Sequence, residues 1–459
     1  MTLPEQHASD PGELLLIGGA SARPGSDSLT QAAARGLRVC LIDTAQNLRA
    51  AADVTERAHR VVALDYTDGR ACTEWALGQP DRFCGVYGFR ETAVQTVAEV
   101  ASALGLAGNP PESVELVRNK DRCREALRRA GFRQPASIHC SDEQAAGRFL
   151  DEHPDGPWVV KPLVGRGSAG VRMLASREEL PAAVRHAGEG LLRLEQELQS
   201  QGVPLPPPSS RPDGFLIEEF QRGSEYSAEG VFVDGAPQVL ALTAKATTGP
   251  PHFIESGHVL PACLPPEIAQ AARERVAAAL VAVGLRWGVF HVEFWVAPPS
   301  TATSTGPSSS TSTATSGNAD PSPIVLGELH VRPGGDYIHV LTQIVTGVQL
   351  HGSIFDQMLG RRPELNLGRP TGAAAVRFLM PLPGRLAAID NWPAVQRDSR
   401  FLEGSLSLAA GSMIGKIGSS MDRGSYLIAA APDPESAERA AEELLQQITL
   451  TYADPNASC

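Results

Sequence analysis

The sequence predicts a mixed α/β (α+β) fold that opens with an α/β sheet and closes with a β-rich region. Near the N-terminus, the apolar run "ELLLI" (13–17) is followed by a glycine turn, a helix-like segment and the apolar run "LRVCLID" (37–43), the order of a βαβ unit. From about residue 366, strand-like runs alternate with glycines until the helical segment "PDPESAERAAEELLQQIT". Because 459 residues exceed one compact core, we also expect several subdomains.

The composition excludes several classes of protein. A net charge of −12 argues against general nucleic-acid binding, which requires a basic surface. No apolar run approaches the roughly 20 residues that cross a bilayer, and the first residues lack the features of a secretory signal. Seven scattered cysteines without CxxC spacing indicate neither a disulfide framework nor a zinc site. We therefore expect a cytoplasmic protein that binds neither nucleic acid nor membrane.

The segment "LGELHVRPGGD" (326–336) places unusual chemistry on one strand. Glu328, His330 and Arg332 alternate, so on a strand their side chains would point to one face. One interpretation is a solvated strand with a cross-strand ion pair. The other is a site that holds a metal ion together with an anionic substrate.

A second carboxylate belongs near this strand. Residues 298–323 are almost entirely Ser, Thr, Pro and Gly, a composition that predicts a disordered insertion. The strands on either side could still pair as a hairpin, which would bring Glu293 of "HVEFW" close to Glu328. Facing carboxylates suit Mg²⁺; two surface glutamates on a hairpin are the alternative.

The loop from Lys161 to Gly170, "KPLVGRGSAG", is a candidate phosphate site. A strand-borne lysine beside three glycines offers a positive charge and accessible backbone N–H groups. It is not a Walker A loop, because no Gly-Lys-Ser/Thr follows, and a purely structural hairpin remains the alternative.

Seven motifs in order, between about Gly85 and Tyr426, resemble the ATP-grasp superfamily of carboxylate–amine (or thiol) ligases, and "ELHVRPGGD" most resembles the L-amino acid (dipeptide) ligases. Each motif is weak alone, whereas the ordered set is specific. The motifs are "RNKDRCREALRRAGF", "VVKPLVGRGSAGV", "LIEEFQRGSEYSAEGVFVDG", "ALTAK", "FIESGHVLPACLP", "GVFHVEFWV" and "GELHVRPGGD".

The resemblance implies an ATP-grasp fold with an N-terminal open α/β (pre-ATP-grasp) sheet, a central lid subdomain and a C-terminal β-rich region. The expected segments are an N-terminal domain 1–115, a linking helical segment 116–160, the lid 161–245, a large subdomain 246–365 and a C-terminal subdomain 366–459.

The resemblance also implies an ATP site. Lys120 and Lys161 would contact phosphates, Glu225 would bind ribose hydroxyls, and Glu218 would lie nearest the adenine amino group. The segment from Gly165 to Gly170, which we call the glycine loop, would close over the triphosphate. The remaining residues implied for nucleotide binding are Gly165, Arg166, Gly167, Ser168, Glu219 and Phe220.

The same resemblance implies the metal and catalytic groups. Glu293 and Glu328 would bind Mg²⁺, and Arg332 would steady an acyl-phosphate. Gly334 and Gly335 would present backbone N–H groups to the substrate.

One position departs from the family pattern, because His330 stands where Asn usually ligates the metal. Either His330 binds the metal, with Mn²⁺ as the alternative ion, or it serves the substrate while the metal relies on two glutamates. We favour the second interpretation.

The expected activity is ATP-dependent ligation of a small carboxylic acid or amino acid to the amine of an amino acid, through an acyl-phosphate. A biotin-carboxylase-like enzyme is an alternative, although the segment after Lys245 lacks the Arg- and Gln-rich bicarbonate motif. A non-catalytic nucleotide-binding module is another. Exposed sheet edges and the habit of the family lead us to expect a homodimer.

Overall fold

The computed structural model describes residues 12–79, 83–204, 213–298, 322–365 and 372–453. Within this part of the chain, helices and four β-sheets form a mixed α/β structure, as predicted. The predicted insertion 298–323 lies outside the described residues except for its first residue and its last two.

The N-terminal sheet is parallel, with the strand order β3-β2-β1-β4. Leu14 to Ile17 of its central strand are fully buried, which explains the continuous apolar run in the sequence. The predicted βαβ unit is therefore present as β1, α1 and β2. The elements are β1 (Glu13–Ile17), α1 (Ala22–Ala33), β2 (Arg38–Asp43), α2 (Ala45–Ala50), α3 (Ala52–Thr55), β3 (Arg60–Ala63), α4 (Gly69–Leu77), β4 (Phe83–Tyr87) and α5 (Val94–Ala103).

A small antiparallel sheet follows, with the order β5-β8-β6-β7. Its apolar face packs on α8 and α9. Strands β6 and β7 are joined by the glycine loop, as predicted. The elements are α6 (Pro111–Arg118), α7 (Lys120–Arg129), β5 (Ser137–Cys140), α8 (Glu143–Glu152), β6 (Trp158–Pro162), β7 (Arg172–Leu174), α9 (Leu180–Ser200) and β8 (Phe215–Glu219).

The largest sheet has eight antiparallel strands in the order β13-β12-β9-β10-β11-β14-β18-β16. The predicted pairing of β12 with β13 is confirmed. The elements as far as α12 are β9 (Ser224–Val233), β10 (Ala236–Thr247), β11 (Glu255–Leu260), α10 (Pro266–Ala282), β12 (Val289–Val296), β13 (Ile324–His330), α11 (Ile338–Thr346) and α12 (Leu350–Met358).

The C-terminal region supplies three strands of this sheet and the short sheet β17-β15-β19. Helix α14 packs on β14 and β18 through small apolar residues such as Ala437 and Ala441. The elements are β14 (Ala373–Leu379), β15 (Gly384–Asp390), α13 (Trp392–Val395), β16 (Phe401–Leu406), β17 (Met413–Ile414), β18 (Ser425–Ala431), α14 (Pro434–Gln446) and β19 (Thr449–Tyr452).

Sheet membership divides the chain differently from the predicted subdomains, whose boundaries stay a prediction. The small sheet takes strands from residues 137–219, whereas β9 and β10, inside the predicted lid 161–245, belong to the large sheet. Strands β14, β16 and β18 also extend the large sheet instead of forming a separate one.

A glycine pair in α9 provides a test of how closely this helix supports the glycine loop. A Cβ on Gly190 would lie 2.2 Å from the backbone N of Gly170, whereas a Cβ on Gly188 would meet nothing within 4 Å. Helix propensity favours alanine at both positions by up to about 1 kcal/mol. We expect Gly188→Ala to raise the melting temperature. Gly190→Ala should lower it and raise the KM for ATP, because the clash displaces the loop backbone. Equal effects of the two substitutions would contradict the close packing.

Candidate functional site

A cavity of about 690 Å³ lies between the small and large sheets and the loops that follow β1 and β4. Every residue that the sequence analysis assigned to ATP, metal or catalysis lines it. The roles of these residues stay predictions, but their positions agree with one common site. They are Lys120, Lys161, Gly165, Arg166, Gly167, Ser168, Glu218, Glu219, Phe220, Glu225, Glu293, Glu328, His330, Arg332, Gly334 and Gly335.

Glu293 and Glu328 lie on the paired strands β12 and β13, at a register shift between Val292 and Phe294. Gly327 makes this arrangement feasible, because a Cβ there would lie 2.9 Å from the Cβ of Glu293. Any other residue at position 327 would therefore have to displace Glu293 or the Trp295 ring.

Two lysines and an arginine neutralise the carboxylates of Glu218 and Glu328. Lys120 Nζ lies 2.8 Å from Glu328 Oε2, and Lys161 Nζ lies 2.7 Å from Glu218 Oε1 and 4.0 Å from Glu328 Oε1. Arg124 Nε lies 2.7 Å from the other oxygen of Glu218. Burial alone would raise the pKa of Glu328, but the two lysines hold it below its usual range, so this carboxylate is ionised.

Lys245 of β10 is a buried cation that the sequence analysis did not assign. Its Nζ lies 2.5 Å from Glu225, 2.7 Å from Glu293 and 3.1 Å from Glu255. Burial would raise the pKa of Glu293, but Lys245 and His291 hold it well below its usual range. Lys245 therefore links the predicted ribose and metal carboxylates to Glu255.

Behind the metal carboxylates lies a buried pair, Glu229 and His291. His291 Nδ1 lies 2.9 Å from Glu229 Oε2, while the hydroxyls of Ser227 and Thr243 donate to Glu229 Oε1 at 2.7 and 3.2 Å. Burial would lower the pKa of His291, but Glu229 outweighs it and raises this pKa to about 9. The imidazole is therefore charged near neutral pH.

This pair should make stability depend on pH. The pKa of His291 is raised on folding from about 6.5, so its stabilisation is complete below pH 6.5 and is lost as pH rises through about 9. We expect His291→Gln to reduce the free energy of unfolding by on the order of 1–3 kcal/mol more at pH 6 than at pH 10. Denaturant titrations at both pH values test this. A pH-independent difference would contradict a charged imidazole.

Glu91, from the loop that follows β4, joins two predicted site residues. Its Oε2 accepts from Arg332 Nε at 2.8 Å and lies 3.1 Å from His330 Nδ1. The other ring nitrogen, His330 Nε2, lies 3.6 Å from Glu328 Oε2. The geometry therefore leaves both interpretations of His330 open, since Nε2 faces a predicted metal ligand and also lines the cavity.

A further group of charges, which we call the acid pocket, consists of Glu255, Asp336 and Arg423. Arg423 donates to both carboxylate oxygens of Asp336 at 2.7 and 2.8 Å and to the Glu255 carbonyl at 3.0 Å. The buried His258 lies 3.7 Å from Asp336. Burial would raise the pKa of Asp336, but His258 and Arg423 hold it well below its usual range. The pocket thus presents both signs of charge.

The donor set fits a nucleotide with a hard metal ion. Ionised carboxylates on facing strands supply the oxygen ligands that Mg²⁺ prefers, and Lys120 and Lys161 supply charge for phosphates. Glu293 and Glu328 are the residues that would hold the ion.

The comparisons with known proteins agree with this geometry. Residues 155–302 match the family described as the ATP-grasp domain, and residues 377–453 match the L-amino acid ligase C-terminal domain 2. The chain therefore contains an ATP-grasp domain. Its C-terminal part is of the L-amino acid ligase type, and the predicted resemblance is confirmed.

Similar proteins include ligases. Carnosine synthase 1 of Gallus gallus is 28% identical over 64% of this chain and 32% of its own length. Alanine–anticapsin ligase of Bacillus subtilis is 26% identical over 44% of this chain and 43% of its own. An uncharacterised protein of Sinorhizobium fredii is 26% identical over 81% of this chain and 69% of its own. The chain thus spans about a third to two thirds of the length of these relatives.

A solved structure supports the fold over nearly the whole chain. The L-amino acid ligase from Bacillus licheniformis superposes with a TM-score of 0.71 at 20% identity, covering 96% of this chain and 99% of that one. The predicted ATP-grasp fold is confirmed. In the described ranges, no helix combines the length and apolar character needed to cross a bilayer.

Proposed function

We propose that this protein is an ATP-dependent carboxylate–amine ligase that forms an amide bond and releases ADP and phosphate. The observation that carries the proposal is one cavity in which Lys120 and Lys161, the facing Glu293 and Glu328, and Arg332 meet the glycine loop. The names of the similar proteins and the L-amino acid ligase C-terminal domain support the same activity.

The chemistry requires an activated acid, because a free carboxylate would have to expel oxide. Its oxygen attacks the γ-phosphorus of ATP, ADP leaves, and an acyl-phosphate forms. The amine then attacks the acyl carbon and phosphate departs. Lys120, Lys161 and Arg332 place positive charge where negative charge develops, and a closed glycine loop excludes water.

The bound metal ion, Mg²⁺ with Mn²⁺ as the alternative, would neutralise charge on the phosphates and hold them in line for transfer. Glu293 and Glu328 would be its ligands, and His330 Nε2 is either a third ligand or a substrate contact.

Both substrates are proposed to be amino acids or a small acid with an amino acid. The acid pocket supports this, because Asp336 and Glu255 can face an ammonium group while Arg423 and Arg332 can face a carboxylate. A homodimer and a cytoplasmic location stay predictions; sedimentation analysis would test the first.

Phosphate release from ATP across a panel of amino acids, alone and in pairs, tests the proposal. Release that depends on two amino acids supports the ligase, and release that depends on bicarbonate would support the carboxylase alternative. No turnover with any combination would favour the non-catalytic module. An ¹⁸O-labelled acid then tests the acyl-phosphate, since one carboxylate oxygen must appear in the released phosphate.

A further inference from the structure

A short segment near the C-terminus touches both the glycine loop and the acid pocket. We call residues 418–423 the bridging segment. The backbone N–H of Ser420 donates to the carbonyl of Gly167 at 2.9 Å, and its hydroxyl donates to Glu255 at 3.3 Å. Three residues later, Arg423 holds Asp336 and the backbone of Glu255. The bridging segment thus contacts the glycine loop and, through Ser420 and Arg423, both Glu255 and Asp336 of the acid pocket.

A second connection joins the same two regions. The hydroxyl of Ser168 donates to the carbonyl of Phe253 at 3.0 Å, two residues before Glu255. The Phe253 ring stacks on Phe220, with centroids 5.5 Å apart, and Phe220 is one of the residues predicted to bind the nucleotide. The segment that leads into the acid pocket therefore contacts both the glycine loop and the predicted nucleotide pocket.

Backbone conformation indicates that these contacts hold the loop in place. Ser168 and Phe253 have φ angles of 56° and 51°, a left-handed region that costs energy for residues other than glycine. Such conformations persist only where surrounding contacts hold them. Here the two strained residues are joined by the Ser168–Phe253 hydrogen bond.

An ion pair at the edge of a cavity joins the bridging segment to α9, the helix that packs on the small sheet. Arg193 of α9 lies 2.6 Å from Asp422, beside a second cavity of about 210 Å³. Exposed ion pairs contribute little stability and separate easily. The bridging segment is thus joined to α9 by charge at the edge of this cavity, whereas its backbone bond to Gly167 joins it to the glycine loop.

We propose that the bridging segment couples the glycine loop to the acid pocket, with Ser420 as the positioning residue. When the nucleotide binds, the glycine loop docks on the bridging segment and orders Ser420 and Arg423. These two residues in turn fix Glu255 and Asp336. Because coupling free energies are reciprocal, a filled acid pocket also favours the docked loop. This inference rests on the proposed function and adds the route by which the acid and ATP promote each other's binding.

Proline at position 420 offers a specific test. Ser420 is the first residue of a 3-10 turn that follows the extended Ser419, a position where proline is tolerated. Ser420→Pro removes the N–H that binds Gly167, whereas Ser420→Ala keeps it and serves as the matched control. The measurement is amide hydrogen exchange of the full chain with and without Mg²⁺ and the β,γ-imido analogue of ATP.

In the wild type, we expect the nucleotide to slow exchange in three segments, 163–171, 248–256 and 415–424. Ser420→Ala keeps the N–H and should retain the slowing in 163–171 and 415–424. In Ser420→Pro, segment 163–171 should remain protected by the nucleotide itself. Slowing in 415–424 should fall by about three- to ten-fold, the effect of one lost hydrogen bond. Equal slowing of 415–424 in Ser420→Pro, or none in the wild type, would overturn the inference.

The result separates this inference from the proposed function. Absence of slowing in segment 163–171 of the wild type would contradict nucleotide binding and overturn both. If the nucleotide slows exchange in the wild type only in segment 163–171, the coupling alone is overturned. If Ser420→Pro melts at a markedly lower temperature, Arg193→Glu replaces it, since it places a negative charge against Asp422 and should also reduce slowing in 415–424.

Discussion

Glu328→Gln is expected to lower kcat by on the order of a hundred- to a thousand-fold while the protein keeps its fold. Glutamine has nearly the same shape but lacks the charge that would hold the metal and that now pairs with Lys120. Glu328 lies on the cavity wall and packs in no apolar cluster, so its neutralisation removes chemistry and no core contact. Phosphate release and the melting curve of the purified variant provide the two measurements.

Glu267→Gln is a suitable control, because it makes the same substitution at an exposed position on α10. We expect it to leave the rate unchanged and to lower the melting temperature only slightly, because Glu267 lies in the first turn of the helix. A Glu328→Gln protein that melts like the wild type and consumes ATP at a similar rate would contradict the assignment of Glu328 to the metal.

The second large effect concerns Arg332→Lys, which should lower kcat far more than it weakens ATP binding. Arg332 donates from Nε to Glu91 and from Nη1 to the carbonyl of Pro333, and it lines the cavity. Lysine keeps the charge but loses the planar group that can bind Glu91 and, in the proposed reaction, face the acyl-phosphate at the same time. We expect about 2–4 kcal/mol of lost transition-state stabilisation, roughly a thirty- to thousand-fold decrease.

Arg118→Lys makes the matched control for this prediction. Arg118 Nε lies 3.6 Å from the other oxygen of Glu91, and Arg118 does not line the cavity. If Arg332 were only an ion-pair partner, both substitutions would give small stability changes and near-normal rates. Measuring kcat and the ATP dissociation constant for each variant separates the two roles.

Much of the fold and the cavity lining could be predicted, because local patterns determine them. The apolar runs of β1 and β2 reflect a sheet buried on both faces, and the alternation around Glu328 reflects a strand with one face on the cavity. The ordered motifs placed every assigned residue on one cavity. Such signals can be recognised in the sequence because each lies within a few consecutive residues.

Other site residues could not be assigned because tertiary structure brings them together. Glu91 belongs to none of the seven motifs, yet it reaches Arg332 from the loop that follows β4. Lys245 and Glu255 belong to recognised motifs, "ALTAK" and "FIESGHVLPACLP", but their pairing depends on the order of β10 and β11 in the sheet. Arg423 lies in a glycine-rich region with no motif. The predicted lid 161–245 includes β9 and β10, whose place in the large sheet likewise depends on long-range pairing.

The position of β14 beside β11 constrains how a newly made chain can fold. Strand β11 ends at residue 260, but its partner on that edge begins at residue 373 and pairs in turn with β18. During synthesis the central sheet therefore carries an unpaired edge while more than a hundred further residues are added. Such long-range pairing is slow, and an open edge invites aggregation. A chain cut after residue 365 would keep that edge permanently, so the large sheet should not mature without β14.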